Sequence, residues 1–145
     1  MKHTFLFQEA VWTAKGIYID ENGNTVPVEG RTEITHAADL WINDGYLRLS
    51  GAGAVEFRNR YEIVPPSGDR DFTSWKSFNP ALGTLTGNFT FVDDPIISSC
   101  VSEDGGYTSV EYLLKVSDAA YRGRGVLYKG KHKLSSWAVE LSREE

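Results

Sequence analysis

Apolar and polar residues alternate with a period of two along most of this chain. The cleanest stretch is residues 55–64, where Val55, Phe57, Asn59, Tyr61 and Ile63 fall on one side and Glu56, Arg58, Arg60 and Glu62 on the other. Successive strand side chains point to opposite faces, so this pattern predicts a half-buried strand with Asn59 and Tyr61 inward. Residues 107–116 put Val110, Tyr112, Leu114 and Val116 together, and that face is expected to point inward. Residues 133–143 gather Ser135, Trp137, Val139 and Leu141. Residues 84–92 separate Leu85, Gly87, Phe89 and Phe91 from Thr84, Thr86, Asn88 and Thr90. Residues 5–19 read as one strand running into an Asn-Gly turn. Residues 5–15 also admit a helix, although a strand is favoured, and short helices are open at 37–41 or 118–121.

Turn signals punctuate these segments at Glu21-Asn22-Gly23-Asn24, Asn43-Asp44-Gly45, Pro65-Pro66-Ser67-Gly68-Asp69, Asp93-Asp94-Pro95, Glu103-Asp104-Gly105-Gly106 and Lys129-Gly130-Lys131. Glycine supplies positive φ, Asn and Asp tolerate it, and proline removes a ladder donor. Roughly ten short strands at this spacing indicate an antiparallel sandwich or barrel. Closure removes the exposed edges that so many strands would leave. The expected fold is therefore all-β, a single antiparallel up-and-down barrel of roughly 8–10 strands spanning residues 1–145, wide enough for side chains or one small ligand. Glycines within or beside strands (Gly16, Gly30, Gly51, Gly53, Gly87, Gly123 and Gly125) fit the bends of a closed sheet.

Composition narrows the function classes. The 145 residues are 41% hydrophobic and 12% aromatic, too apolar for a disordered chain. No apolar run reaches the roughly 20 residues of a membrane span. Gln8 and Glu9 interrupt the apolar start before it attains signal-peptide length, so a cytoplasmic location is expected. The lone Cys100 excludes an internal disulfide framework. A net charge of −5 disfavours nucleic acid as a partner. That charge is uneven: residues 115–133 carry Lys115, Arg122, Arg124, Lys129, Lys131 and Lys133 against Asp118 alone. The segment is either a solvated face or an anion-attracting region.

The early strand with its tryptophan (Ala10-Val11-Trp12-Thr13-Ala14), the long meander of hairpins and the basic, aromatic last third resemble the calycins, the superfamily of lipocalins and fatty-acid-binding proteins. Ala10 stands where the usual Gly-x-Trp has glycine. The Arg-x-Tyr pair that holds a carboxylate in the intracellular binders is missing, since neither Arg122-Gly123-Arg124 nor Arg60-Tyr61 is that motif. The resemblance implies a ligand-holding barrel and names no ligand.

Catalytic and metal signatures are weak. His3, His36 and His132 share no ligand spacing, so no metal or other cofactor is expected; a haem on His36 or His132 finds no support. Cys100 sits among small residues, where a thiol is inert. Arg122 and Arg124 share one strand face. Turned inward they would demand an anion, and turned outward they would form a basic ridge. The expected ligand contacts are Trp12, His36, Asn59, Tyr61, Trp75, Tyr112, Arg122 and Arg124, with residues 73–83 as a rim loop. The expected function is non-catalytic binding of a small hydrophobic or amphipathic, often aromatic molecule, anionic if those arginines face in. An enzyme acting on a small phenolic or carboxylated substrate is the first alternative. There, Tyr61 or Tyr112 would polarise the substrate, Arg122 or Arg124 would hold its carboxylate and Glu111 or His36 would move protons, although alternation turns Glu111 away from Tyr112. A solid-cored oligomerisation module, pairing as a homo-oligomer through an edge strand, is the second.

Overall fold

The fold was obtained as a computed structural model that describes residues 2–51 and 55–145. Ten strands follow one another: β1 (Ala10–Ile19), β2 (Thr25–His36), β3 (Trp41–Leu49), β4 (Val55–Ile63), β5 (Phe72–Asn79), β6 (Gly83–Phe91), β7 (Pro95–Ser102), β8 (Tyr107–Ser117), β9 (Ala120–Lys129) and β10 (His132–Arg143). Each pairs antiparallel with its sequence neighbours, and β1 pairs with β10 from Trp12↔Arg143 to Ile19↔Ser136, which closes the barrel. Among the described residues the fold is all-β, a closed ten-stranded antiparallel barrel. No helix among the described residues is long and apolar enough to cross a membrane.

Several local expectations are corrected. Strand β1 begins at Ala10, and the residues before it turn across one end of the barrel with Leu6 at φ 75°. Phe5 and Leu6 are buried there against Trp12 and Tyr121. The plug is polar-locked as well. His3 Nε2 donates to the Asp93 carbonyl at 2.8 Å, so its Nδ1 accepts from the Tyr121 hydroxyl at 2.9 Å. That hydroxyl in turn accepts the Thr4 and Phe5 amides. Burial lowers the His3 pKa and keeps the ring neutral.

Residues 37–41 and 118–121 hold turns and strand ends instead of helices. Asn43-Asp44-Gly45 is the middle of β3, where Asn43 accepts a hydrogen bond from Thr32 on β2. The expected rim loop, 73–83, is strand β5, a tight turn and the first residue of β6. Gly53 lies outside the described residues.

The seams are unequal. Among the described residues, strands β4 and β5 share Tyr61↔Ser77, Glu62↔Lys76 and Ile63↔Trp75, with one more backbone bond from the Val64 amide to the Ser74 carbonyl just past β4, whereas β5 and β6 pair along the whole of β5. The barrel is thus plugged at one end and loosely laced between β4 and β5 toward the other.

Candidate functional site: a carboxyl inside the barrel

Strand register determines what reaches the interior. The inward row that crosses β10, β9, β8, β7 and β6 reads Trp137, Gly125, Glu111, Ser98 and Phe89. Gly125 is the key to this row. A Cβ built there would lie 2.2 Å from the Trp137 indole, so the ring can lie across Gly125 only because no side chain is present. Lying flat, the indole carries its Nε1–H across β9 to β8, where it donates to Glu111 Oε2 at 2.7 Å. Strands β5 and β6 repeat the device: the Trp75 ring lies across Gly87 and meets Tyr61 edge-on at 4.8 Å.

Opposite this row, β2, β3 and β4 contribute Thr32, Asn43, Asn59 and Tyr61. Between the two sides is a cavity of about 130 Å³. Phe5, Trp12, Phe89, Leu113, Val139 and Leu141 supply its apolar wall. Glu111, Tyr61, Asn59, Ser98 and the Thr32–Asn43 pair supply its polar one. An apolar cavity of about 150 Å³ in another protein holds benzene or xenon, so this space suits one ring-sized molecule.

The electrostatics centre on Glu111. Burial pushes its carboxyl pKa above the ordinary glutamate value, and the Trp137 hydrogen bond pulls the other way with the smaller effect. Burial likewise raises the Tyr61 phenol, with Glu111 and then Cys100 adding to the shift, so Tyr61 stays a neutral hydroxyl. Among the described residues no cation reaches the cavity. Arg31 borders it, but its guanidinium is directed outward to Glu144 at 2.8 Å. Lys115 pairs with Asp118 at 2.8 Å, just before the β8–β9 turn.

Of the expected contacts, Trp12, Asn59 and Tyr61 are brought together at the cavity. Trp75 is buried beside it and touches Tyr61. His36 sits by the plugged end, where it stacks on Trp41, donates to the Leu6 carbonyl and takes no part in the cavity wall. Tyr112 faces outward, contrary to expectation, because Glu111 and Leu113 occupy the inner face of β8. Arg122 and Arg124 also face outward and pair with Glu140 at 3.5 and 3.6 Å, so they form the basic ridge and hold no internal anion.

Glu111 and Trp137 were missed as contacts. The usable signal was Gly123-x-Gly125 on β9: two glycines on one face leave room for a large ring on one neighbour and a polar group on the other.

No protein-family model matches the chain, and neither does any curated protein. Among solved structures, the S-type phycobiliprotein lyase CPES from Guillardia theta superimposes with a TM-score of 0.69 at 10% identity, over 97% of this chain and 91% of that one. The likeness shows a shared barrel fold. An N-terminal dehydratase from a difficidin assembly line also aligns at 10% identity, over 97% of this chain and 79% of that one, but its TM-score of 0.29 carries no argument.

Proposed function

We infer that the protein is a small-molecule-binding barrel whose cavity takes one ring-sized, amphipathic aromatic guest. The observation that carries this reading is the internal space itself: an apolar wall facing a polar one, with the Glu111 carboxyl met by a single hydrogen bond from Trp137. Binding sites of this kind combine an apolar lining with a few placed polar groups. The lyase likeness supports the fold of such a binder and says nothing of the guest. With Arg122 and Arg124 outside, the anionic guest first considered loses its support.

Methyl-resolved NMR tests the reading. Toluene or phenol should shift the methyls of Leu113, Val139 and Leu141 and leave those of outward-facing Val92 and Val116 in place. Unmoved interior methyls at saturating concentrations would mean a solid core.

One observation favours a second reading. Glu111 is a carboxyl of raised pKa sharing a cavity with the Tyr61 hydroxyl, an arrangement suited to general acid–base chemistry. A guest recovered chemically altered after incubation with wild-type protein, and unaltered with Glu111→Gln, would replace binding with catalysis.

A further inference from the structure

We propose that the cavity selects a ring-sized nitrogen base whose N–H donates to the Glu111 carboxyl. The inference rests on the small-molecule reading above and adds the chemical class of the guest.

Glu111 has fewer donors than its carboxyl can take. A carboxylate offers about four lone-pair directions. Among the described residues the Glu111 side chain has one donor, Trp137 Nε1–H, on Oε2. The indole cannot swing away without losing its seat on Gly125, so the remaining acceptor capacity keeps a defined direction. Nothing else in the wall can supply the missing partner as a charge. The guanidinium groups of Arg31, Arg122 and Arg124 are engaged outside by Glu144 and Glu140. The remaining polar groups of that wall, Asn43, Asn59, Ser98 and Tyr61, are neutral.

A half-buried carboxyl facing the cavity with one donor carries a desolvation cost, and an opposite charge or a strong donor entering the same space offsets it. The three guest types then separate. An anionic ring would meet a carboxyl with no cation to offset it. A purely apolar ring would fill the space and leave Glu111 as it was. A ring with an N–H, above all one that is protonated near neutral pH, satisfies both walls at once.

Calorimetric titration of the wild-type protein and Glu111→Gln with toluene, 4-methylimidazole and benzoate tests this. The glutamine is isosteric, and retained toluene binding shows that the cavity is intact. Loss of a hydrogen bond to a charged group weakens binding by roughly tenfold or more. The expected result is therefore that 4-methylimidazole loses at least about tenfold in affinity on Glu111→Gln while toluene does not change. Equal 4-methylimidazole affinity in both proteins, with toluene bound, would overturn the nitrogen-base inference and leave the binding barrel standing. Benzoate binding the wild type more tightly than 4-methylimidazole would overturn it too. Failure of all three rings to bind would remove the small-molecule reading and this inference with it.

Discussion

Glu111 shows what a single inward carboxyl does to a barrel of this size. Its folded-state pKa lies above the ordinary value of 4.5, so the unfolded chain gives up its proton first as pH rises. The stability that Glu111 contributes is thus present at low pH and is lost as pH climbs through the raised folded value. Glu111→Gln, which carries no charge, should raise the melting temperature at about pH 7, and the gain should shrink as pH falls toward about 4. A melting-temperature difference that is flat across that range would show an ordinary, solvated glutamate. Gly125→Ala probes the other partner. The added Cβ would lie 2.2–2.6 Å from three indole atoms, so Trp137 must leave its seat. The expected cost is about 1–3 kcal/mol of stability, as for other overpacked sites. A changed near-ultraviolet circular dichroism signal from the displaced indole should accompany it; an unaltered spectrum would argue against the flat-lying ring.

The residue scale is also where the sequence was least legible. On β8 the more apolar set (Val110, Tyr112, Leu114, Val116) suggested the core, yet Val110, Tyr112 and Val116 are exposed and Glu111 is inside. Alternation identifies two faces but ranks them by hydrophobicity. That ranking fails where the interior is a partly polar cavity. On β4 the inward face was read correctly, because there the inner residues are also the more apolar.

At the scale of elements, the plug and the loose seam define the two ends of the account. Residues 5–8 looked like a strand because aromatic and aliphatic residues favour strands; tertiary packing turned them across the barrel end instead. Phe5 is 4% exposed and touches both the core and the cavity wall. Phe5→Ala should cost about 3–5 kcal/mol, measured by denaturant unfolding, and should enlarge the cavity enough to admit a bulkier ring. Loss of well under that amount would mean that the plug packs loosely. The β4–β5 seam, with three residue pairs, should be the first to open. Hydrogen exchange at Phe78 and Asn79 is therefore expected to be faster than at residues 12–19 of β1, whose strand is paired on both sides. Equal protection would place the weak point elsewhere.

At the scale of the molecule, fold class and closure were legible from period-two segments and recurrent turn signals, and the calycin-like resemblance pointed the same way. The uneven charge was legible in amount and not in direction. Arg122 and Arg124 share a strand with Gly123 and Gly125, and periodicity cannot say which pair is inside. The answer lies in the neighbours: Trp137 and Glu111 need the empty side of β9, which sends both arginines to Glu140 and water. The barrel interior is consequently acidic where inward arginines would have made an anion site, and Glu111 presents its carboxyl there to a donor. A carbon-13 NMR titration of the Glu111 carboxyl, with and without 4-methylimidazole, tests this most directly. The expected midpoint lies above the ordinary glutamate value in the free protein and falls when the base is bound. An ordinary midpoint that the base leaves unmoved would contradict it.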